Sequence, residues 1–293
     1  MFSGNKPARW SANAGHRTVV LAIITLLLPL LFSAADHPSR ASSGELKIMI
    51  SGGFRAACQE LVPEFERKTG YTIVTVSGPS MGSTPDAIPN RLHRNEPADV
   101  VIVASSSLEE LIKQHKVIPE TRVDLASSVI AMAVRAGAPK PDISSLEALK
   151  HTLLTAKSIA YSNSISGIYL STELFPRLGI ADVIRNKCLR VDTGMVGTVI
   201  ARGDAEIGFQ QLSELLPITG IDIVGPIPPE AQKVTVYSGG VVFNSKQPAM
   251  AKQFLEFLAS PHAASAIQNS GMQQCLHGNN EQKDAVDKSV NCR

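Results

Sequence analysis

From Glu45 onward the chain alternates short β-branched apolar runs with segments whose apolar residues recur at helical spacing, the pattern of strands joined by crossover helices. The first unit is plain: Leu46 to Ser51 reads as a strand, Gly52-Gly53 as a turn, and Phe54, Cys58, Leu61, Val62 and Phe65 repeat at i, i+4, i+7, i+8 and i+11. Gly70 supplies the glycine that ends such a helix. Thr72–Val76 and Asp99–Val103 read as further strands, each running into a Ser/Gly loop, Gly78-Pro79-Ser80-Met81-Gly82-Ser83 and Ser105-Ser106-Ser107. Val129–Val134 and Ser158–Tyr161 are again strands, separated by a helix carrying Leu146, Leu149 and Leu153 behind the capping box Ser144-x-x-Glu147. A fourth Ser/Gly loop, Ser162 to Gly167, follows. Glu206–Phe209 is a short strand leading to Gln210-Gln211, Val234–Phe243 is a long one, and Ala251, Phe254, Leu255 and Leu258 mark a helix stopped by Pro261. The predicted class is α/β, with mostly parallel sheets flanked by helices and no internal repeat.

The chain begins differently. Lys6, Arg9 and Arg17 precede an apolar run from Thr18 to Leu31, and Ser33 and Ala35 occupy the small positions before Asp36. This is the pattern of a cleaved signal peptide over residues 1–35, too short for the ~20 apolar residues of a spanning helix. The expected location is the periplasm. Removing the leader takes three of 28 basic residues and none of 26 acidic ones, leaving the rest near neutrality. The lone Trp10 goes with it. Nothing then favours nucleic acid as a partner. In an oxidising compartment the four cysteines can pair, and Cys275 with Cys292 is the expected disulfide, stapling a C-terminal tail over 272–293. Cys58 lies on the apolar face of the first helix and is expected to be buried and inert. No Cys/His spacing suggests a metal, and no cofactor is expected.

Ligands of open α/β sheets collect at the carboxyl ends of strands, where following helices present unpaired N–H groups and small residues allow close approach. Candidate ligand contacts are therefore Ser51, Gly52, Gly53, Ser80, Met81, Gly82, Ser83, Ser105, Ser164, Ser166 and Gly167. Ser106, with Glu109 three residues on, reads as a helix cap. Arg55 lies within one turn of Gly52-Gly53 and could pair with a carboxylate. Tyr169 could donate its hydroxyl or merely pack, and one of Gln210 and Gln211 should face the same cleft. His93 reads as a surface histidine. The ligand so predicted is a small anion held mainly by amides and hydroxyls.

The runs GELKIMISGGFRAACQELVPEFERKTGYTI, ADVVIVASSSLEELIKQHKV and ARGDAEIGFQQLSELLP resemble type 2 periplasmic substrate-binding proteins of the molybdate-binding kind, in order over nearly the whole mature chain. SGGFR, PSMGS, AIPNRL and GFQQLSELLP are similar to the branch that includes aconitate isomerase. The resemblance implies two α/β lobes joined by crossing strands, here residues 44–124 plus 234–271 and residues 125–233, with an anion clasped between them. It implies a monomer that delivers an oxyanion or a di- or tricarboxylate to an inner-membrane ABC permease, or, alternatively, an isomerase acting on aconitate by an allylic proton shift. Gln210 stands where the molybdate binders that the chain resembles typically carry a tyrosine contact, and that departure, with Arg55 beside the cleft, counts against molybdate itself while leaving other oxyanions and carboxylates open. The isomerase reading needs a general base. No residue of the sequence stands out as one.

Overall fold

The computed structural model describes residues 44–275. The expected leader over 1–35, the tail beyond 275 and Cys292 lie outside the described residues.

β1 (Glu45–Ser51) runs into α1 (Gly52–Thr69), followed by β2 (Thr72–Gly78), α2 (Ile88–His93), β3 (Val100–Ala104) and α3 (Ser105–Lys113). β1 lies between β2 and β3, parallel to both. All five residues of β3 are buried, as a continuous Val-Val-Ile-Val-Ala run covered by helices on both faces should be. In α1 the apolar stripe sinks Phe54, Ala57, Cys58, Leu61 and Phe65 into one face of the sheet. Gly70 ends the helix at φ 74°, its N–H bonding the carbonyl of Glu66 at 2.8 Å.

β4 (Val123–Ser128) stays in this first sheet, and β5 (Ile130–Arg135) already belongs to a second. The second sheet then gathers α4 (Leu146–Thr155), β6 (Ile159–Ser162) and α5 (Ile165–Tyr169). A π turn at Leu170–Leu174 leads on to α6 (Phe175–Arg177), α7 (Ala181–Ile184), β7 (Cys188–Val191), α8 (Val196–Arg202), β8 (Ile207–Gln211), α9 (Leu212–Leu215) and β9 (Ile221–Pro226). β10 (Thr235–Val241) returns to the first sheet, followed by α10 (Pro248–Ala259), α11 (Ala264–Asn269) and β11 (Gln273–Gln274). The strand orders are β11-β4-β10-β3-β1-β2 and β7-β6-β8-β5-β9. Each sheet is parallel where helices cross over and antiparallel around the strands next to the lobe crossings, β10 against β3 and β4 in one, β5 against β8 and β9 in the other.

The apolar cores are separate. Leu46, Ile48, Phe65, Phe254 and Leu258 pack on one side of the first sheet and Met49, Val101, Val103 and Leu108 on the other. Met132, Ile159, Leu170, Phe175 and Phe209 form the core of the second. Two lobes with private cores, joined by a few extended residues, are the architecture the resemblance implied.

Two caps differ from expectation. Ser145, not Ser144, caps α4, its hydroxyl accepting the Ala148 N–H at 3.1 Å, because Ser144 is taken into a turn with Asp142. Ser106 is no cap either: α3 starts at Ser105, and no side chain caps it. Cys58 is fully buried, which pushes its thiol up to about 12. Cys58 and Cys188 are free thiols, while Cys275 is disulfide-bonded.

Candidate functional site

Three parallel strands of the first lobe end side by side, and one hydroxyl relay ties them together. Ser51 closes β1 and precedes α1, yet its side chain makes no capping bond. Instead it accepts the Ser80 hydroxyl at 2.8 Å, and Ser80 in turn accepts the Ala104 N–H at 2.9 Å. Both serines are buried. Gly52 and Gly53 form the first turn of an 18-residue helix, whose leading N–H groups carry its positive end. Gly53 is required by close approach, since a Cβ there would lie 2.0 Å from the phenol oxygen of Tyr237 on β10. That phenol is buried within hydrogen-bonding reach of Ser51. Burial foremost, with the nearby Glu214 carboxyl, holds it well above the usual range, so it is a neutral donor.

The second lobe answers from across the cleft. Gln210 and Gln211 end β8, and both are buried. Gln210 accepts the Val196 N–H at 2.9 Å through its side-chain oxygen, and Gln211 donates to the Thr235 hydroxyl at 2.8 Å. The Gln211 side-chain oxygen is buried without a partner. Three residues on, in the single turn of α9, Glu214 reaches the first lobe: a Cβ on Gly52 would lie 2.3 Å from its Oε1. Burial pushes this carboxyl up to about 7, against the opposing pull of the Gln210 amide, the Arg55 charge and the Gln211 backbone. It is an ionisable group poised near neutrality, at the start of α1 and beside an arginine. The sequence reading missed it. The available signal was its position, just past a strand end like the Ser/Gly loops, but an acid in a Leu-Ser-Glu-Leu-Leu run otherwise reads as a solvated helix face.

The remaining candidates divide. Ser166 is buried with its hydroxyl 3.4 Å from that of Ser162, and Gly167 packs so tightly that a Cβ would lie 1.7 Å from the Ser162 carbonyl oxygen. Ser164 precedes α5 without capping it. Gly82, at φ 115°, approaches the other lobe, its would-be Cβ 3.0 Å from the Asn163 carbonyl, with Met81 half-buried beside it. Ser83 is exposed, as is His93. Tyr169 is buried and its hydroxyl is committed to the Ala231 carbonyl at 2.8 Å, leaving its ring rather than its oxygen to the cleft. Ser105 accepts Arg122 Nη2 at 2.9 Å and lies 3.5 Å from Glu109. Arg55 is half-buried near Glu214.

A cavity of about 270 Å³ opens between the lobes, lined by Ala104, Ser105, Ser106, Ile165, Ser166 and Tyr169, with Glu109, Ile130 and the Lys233–Val236 segment completing the wall. Ser51, Arg55 and Glu214 are not part of that lining. Ala104 belongs to both regions: it lines the cavity, and its N–H binds Ser80. Among the described residues no cluster of His, Cys, Asp and Glu could hold a metal ion, and no helix is long and apolar enough to cross a membrane.

Paired lobes with serine hydroxyls, helix starts and side-chain amides on their facing edges have the architecture of a solute-binding protein. The chain belongs to the family of bacterial extracellular solute-binding proteins, whose pattern it matches over residues 46–273. It is 51% identical over 256 residues to an aconitate isomerase of a Pseudomonas species, covering 87% of this chain and 96% of that protein. Molybdate-binding protein ModA of Azotobacter vinelandii is 21% identical over 244 residues, covering 79% and 90%. Among solved structures, the periplasmic molybdate-binding protein of Azotobacter vinelandii superposes with a TM-score of 0.63 at 22% identity, over 78% of this chain and 98% of that one. The sulfate-binding protein SubI of Mycobacterium tuberculosis gives 0.59 at 18%, over 78% and 86%. Likeness at these last identities shows the fold.

Proposed function

We propose that this protein interconverts the cis and trans isomers of aconitate, or of a closely similar unsaturated polycarboxylate, with Glu214 as the general base. The observation that carries this reading is the position of the Glu214 carboxyl, against Gly52 at the start of α1 and near Arg55, where burial pushes it up to about 7. A pure binding site for an anion gains nothing from an acid there. A base poised near the working pH is what proton abstraction needs.

In the reaction, the Glu214 carboxylate takes a proton from the CH₂ between the double bond and a carboxylate. The electron pair moves into a new C=C bond as the old double bond opens toward its far carbon. Protonation of that far carbon by the Glu214 carboxylic acid restores the base and completes the shift, with no net gain or loss of protons. Arg55, the α1 N–H groups, Ser51 and the neutral phenol of Tyr237 supply donors for carboxylate oxygens on which charge accumulates. The similarity to an aconitate isomerase over 87% of the chain supports the same reading.

The test is proton NMR of trans-aconitate in D₂O with the purified protein. Appearance of the cis isomer is expected, with kcat/KM rising through an apparent pKa near 7 and falling about 10²-fold or more in Glu214→Gln. Binding of trans-aconitate without any isomer after prolonged incubation would instead favour the second reading, delivery of a carboxylate to an ABC permease from the periplasm, which the two-lobed fold supports.

A further inference from the structure

We infer that the interlobe cavity is a distal subsite in which Lys233 holds a substrate carboxylate other than the one at the strand ends. The inference rests on the polycarboxylate reading above and deepens it. At about 270 Å³ the cavity lies just under the roughly 300 Å³ at which small-molecule pockets begin, and it is far larger than the ~30 Å³ share of one water. A tetrahedral oxyanion seated at Ser51 and Ser80 would leave it empty; a six-carbon tricarboxylate extends beyond one anion clasp. The two regions share Ala104, which lines the cavity and donates its N–H to Ser80.

The chemistry of the walls is that of a carboxylate site. Lys233 lies in the wall with its ammonium 4.9 Å from the centroid of the Tyr169 ring, and that ring is itself fixed by the hydroxyl bond to Ala231. One of the three ammonium donors goes to Glu173 at 2.7 Å, leaving two. Thr235 accepts from Gln211, so its own O–H proton is free to donate, and Ser166 also lines the cavity. The acid in the lining, Glu109, is paired with Arg122 at 2.9 Å just as Lys233 is with Glu173, so Lys233 meets a ligand through its remaining N–H donors rather than as an unpaired charge.

The experiment is calorimetric titration of trans-aconitate into the full mature protein and three variants, with folding checked by melting. Lys233 and Glu173 are both largely solvent-exposed, so the fold should tolerate change at either. Lys233→Met should raise Kd about tenfold or more, the loss of one charge-assisted contact. Lys233→Arg should stay within about threefold of the parent and Glu173→Gln within about twofold. Lys233→Met binding like the parent overturns the subsite alone. Equal weakening by Glu173→Gln also overturns it, because the effect would then belong to the ion pair. If the unaltered protein does not bind trans-aconitate, the polycarboxylate reading and the subsite fall together.

Discussion

Arg55 and Glu214 bring opposite charges to the start of one helix, and their consequences differ. If the ligand is a carboxylate, Arg55→Ala should weaken its binding by about 2 to 3 kcal/mol, the worth of a charge-assisted hydrogen bond, readable by titration. A tetrahedral oxyanion held by amides would barely respond. Glu214 also carries a stability signature. Its folded pKa is raised, so the stabilising, protonated form is fully present below the unfolded value near 4.3 and is lost as pH climbs through about 7. Glu214→Gln keeps a neutral group there at every pH. The ligand-free variant should therefore match the parent near pH 4 and exceed it at pH 8 by roughly 1–2 kcal/mol in denaturant unfolding, allowing for the partly open side chain. At this scale Ser51, Ser80 and the Gly52-Gly53 pair were legible because small residues right after strands have few other reasons to be there. Glu214 and Tyr237 were not, because what distinguishes them is which glycine each abuts in the folded chain: Gly52 across the cleft for one, Gly53 within the first lobe for the other.

The strands with a clear apolar run and the long helices were readable to within a residue or two, whereas β4, β7 and β9 were not read. Leu46–Ser51 is β1 less its first residue, and Val234–Phe243 contains β10. The run from Ser162 to Arg177 was not. It packs α5, a π turn and α6 into a few short turns, and no repeat of 3.6 survives such brief pieces. What holds that run to β6 is the lack of a side chain at Gly167, against the backbone carbonyl of Ser162. Gly167→Ala would drive a methyl into a backbone atom that cannot swing away. A loss of about 1–3 kcal/mol is expected, a fall of roughly 3–10 °C in Tm by calorimetry.

At the scale of the molecule, alternating strands and helices specify the α/β class but not which strands share a sheet. Periodicity reports burial, not partners, and so the antiparallel insertion of β10 between β3 and β4 was hidden. The resemblance to binding proteins, rather than the pattern, carried the two-lobe expectation. Lobes that share a ligand should be stabilised by it in proportion to occupancy. At a hundredfold excess over Kd, trans-aconitate should add about 2.7 kcal/mol and raise the Tm by several degrees, whereas an anion that does not bind the folded protein would leave it unmoved.

The bond from Gln211 to Thr235 reaches further than its 2.8 Å. Thr235 opens β10, a strand that enters the first lobe from the second, and Gln211 sits at the root of the turn that carries Glu214. Any flexing of β10 as the jaws part would tug that root and draw the carboxyl off Gly52. With Glu214 as the proposed base, admission of a guest and readiness for proton transfer would then alternate, and the proposed isomerase would be idle whenever it gapes.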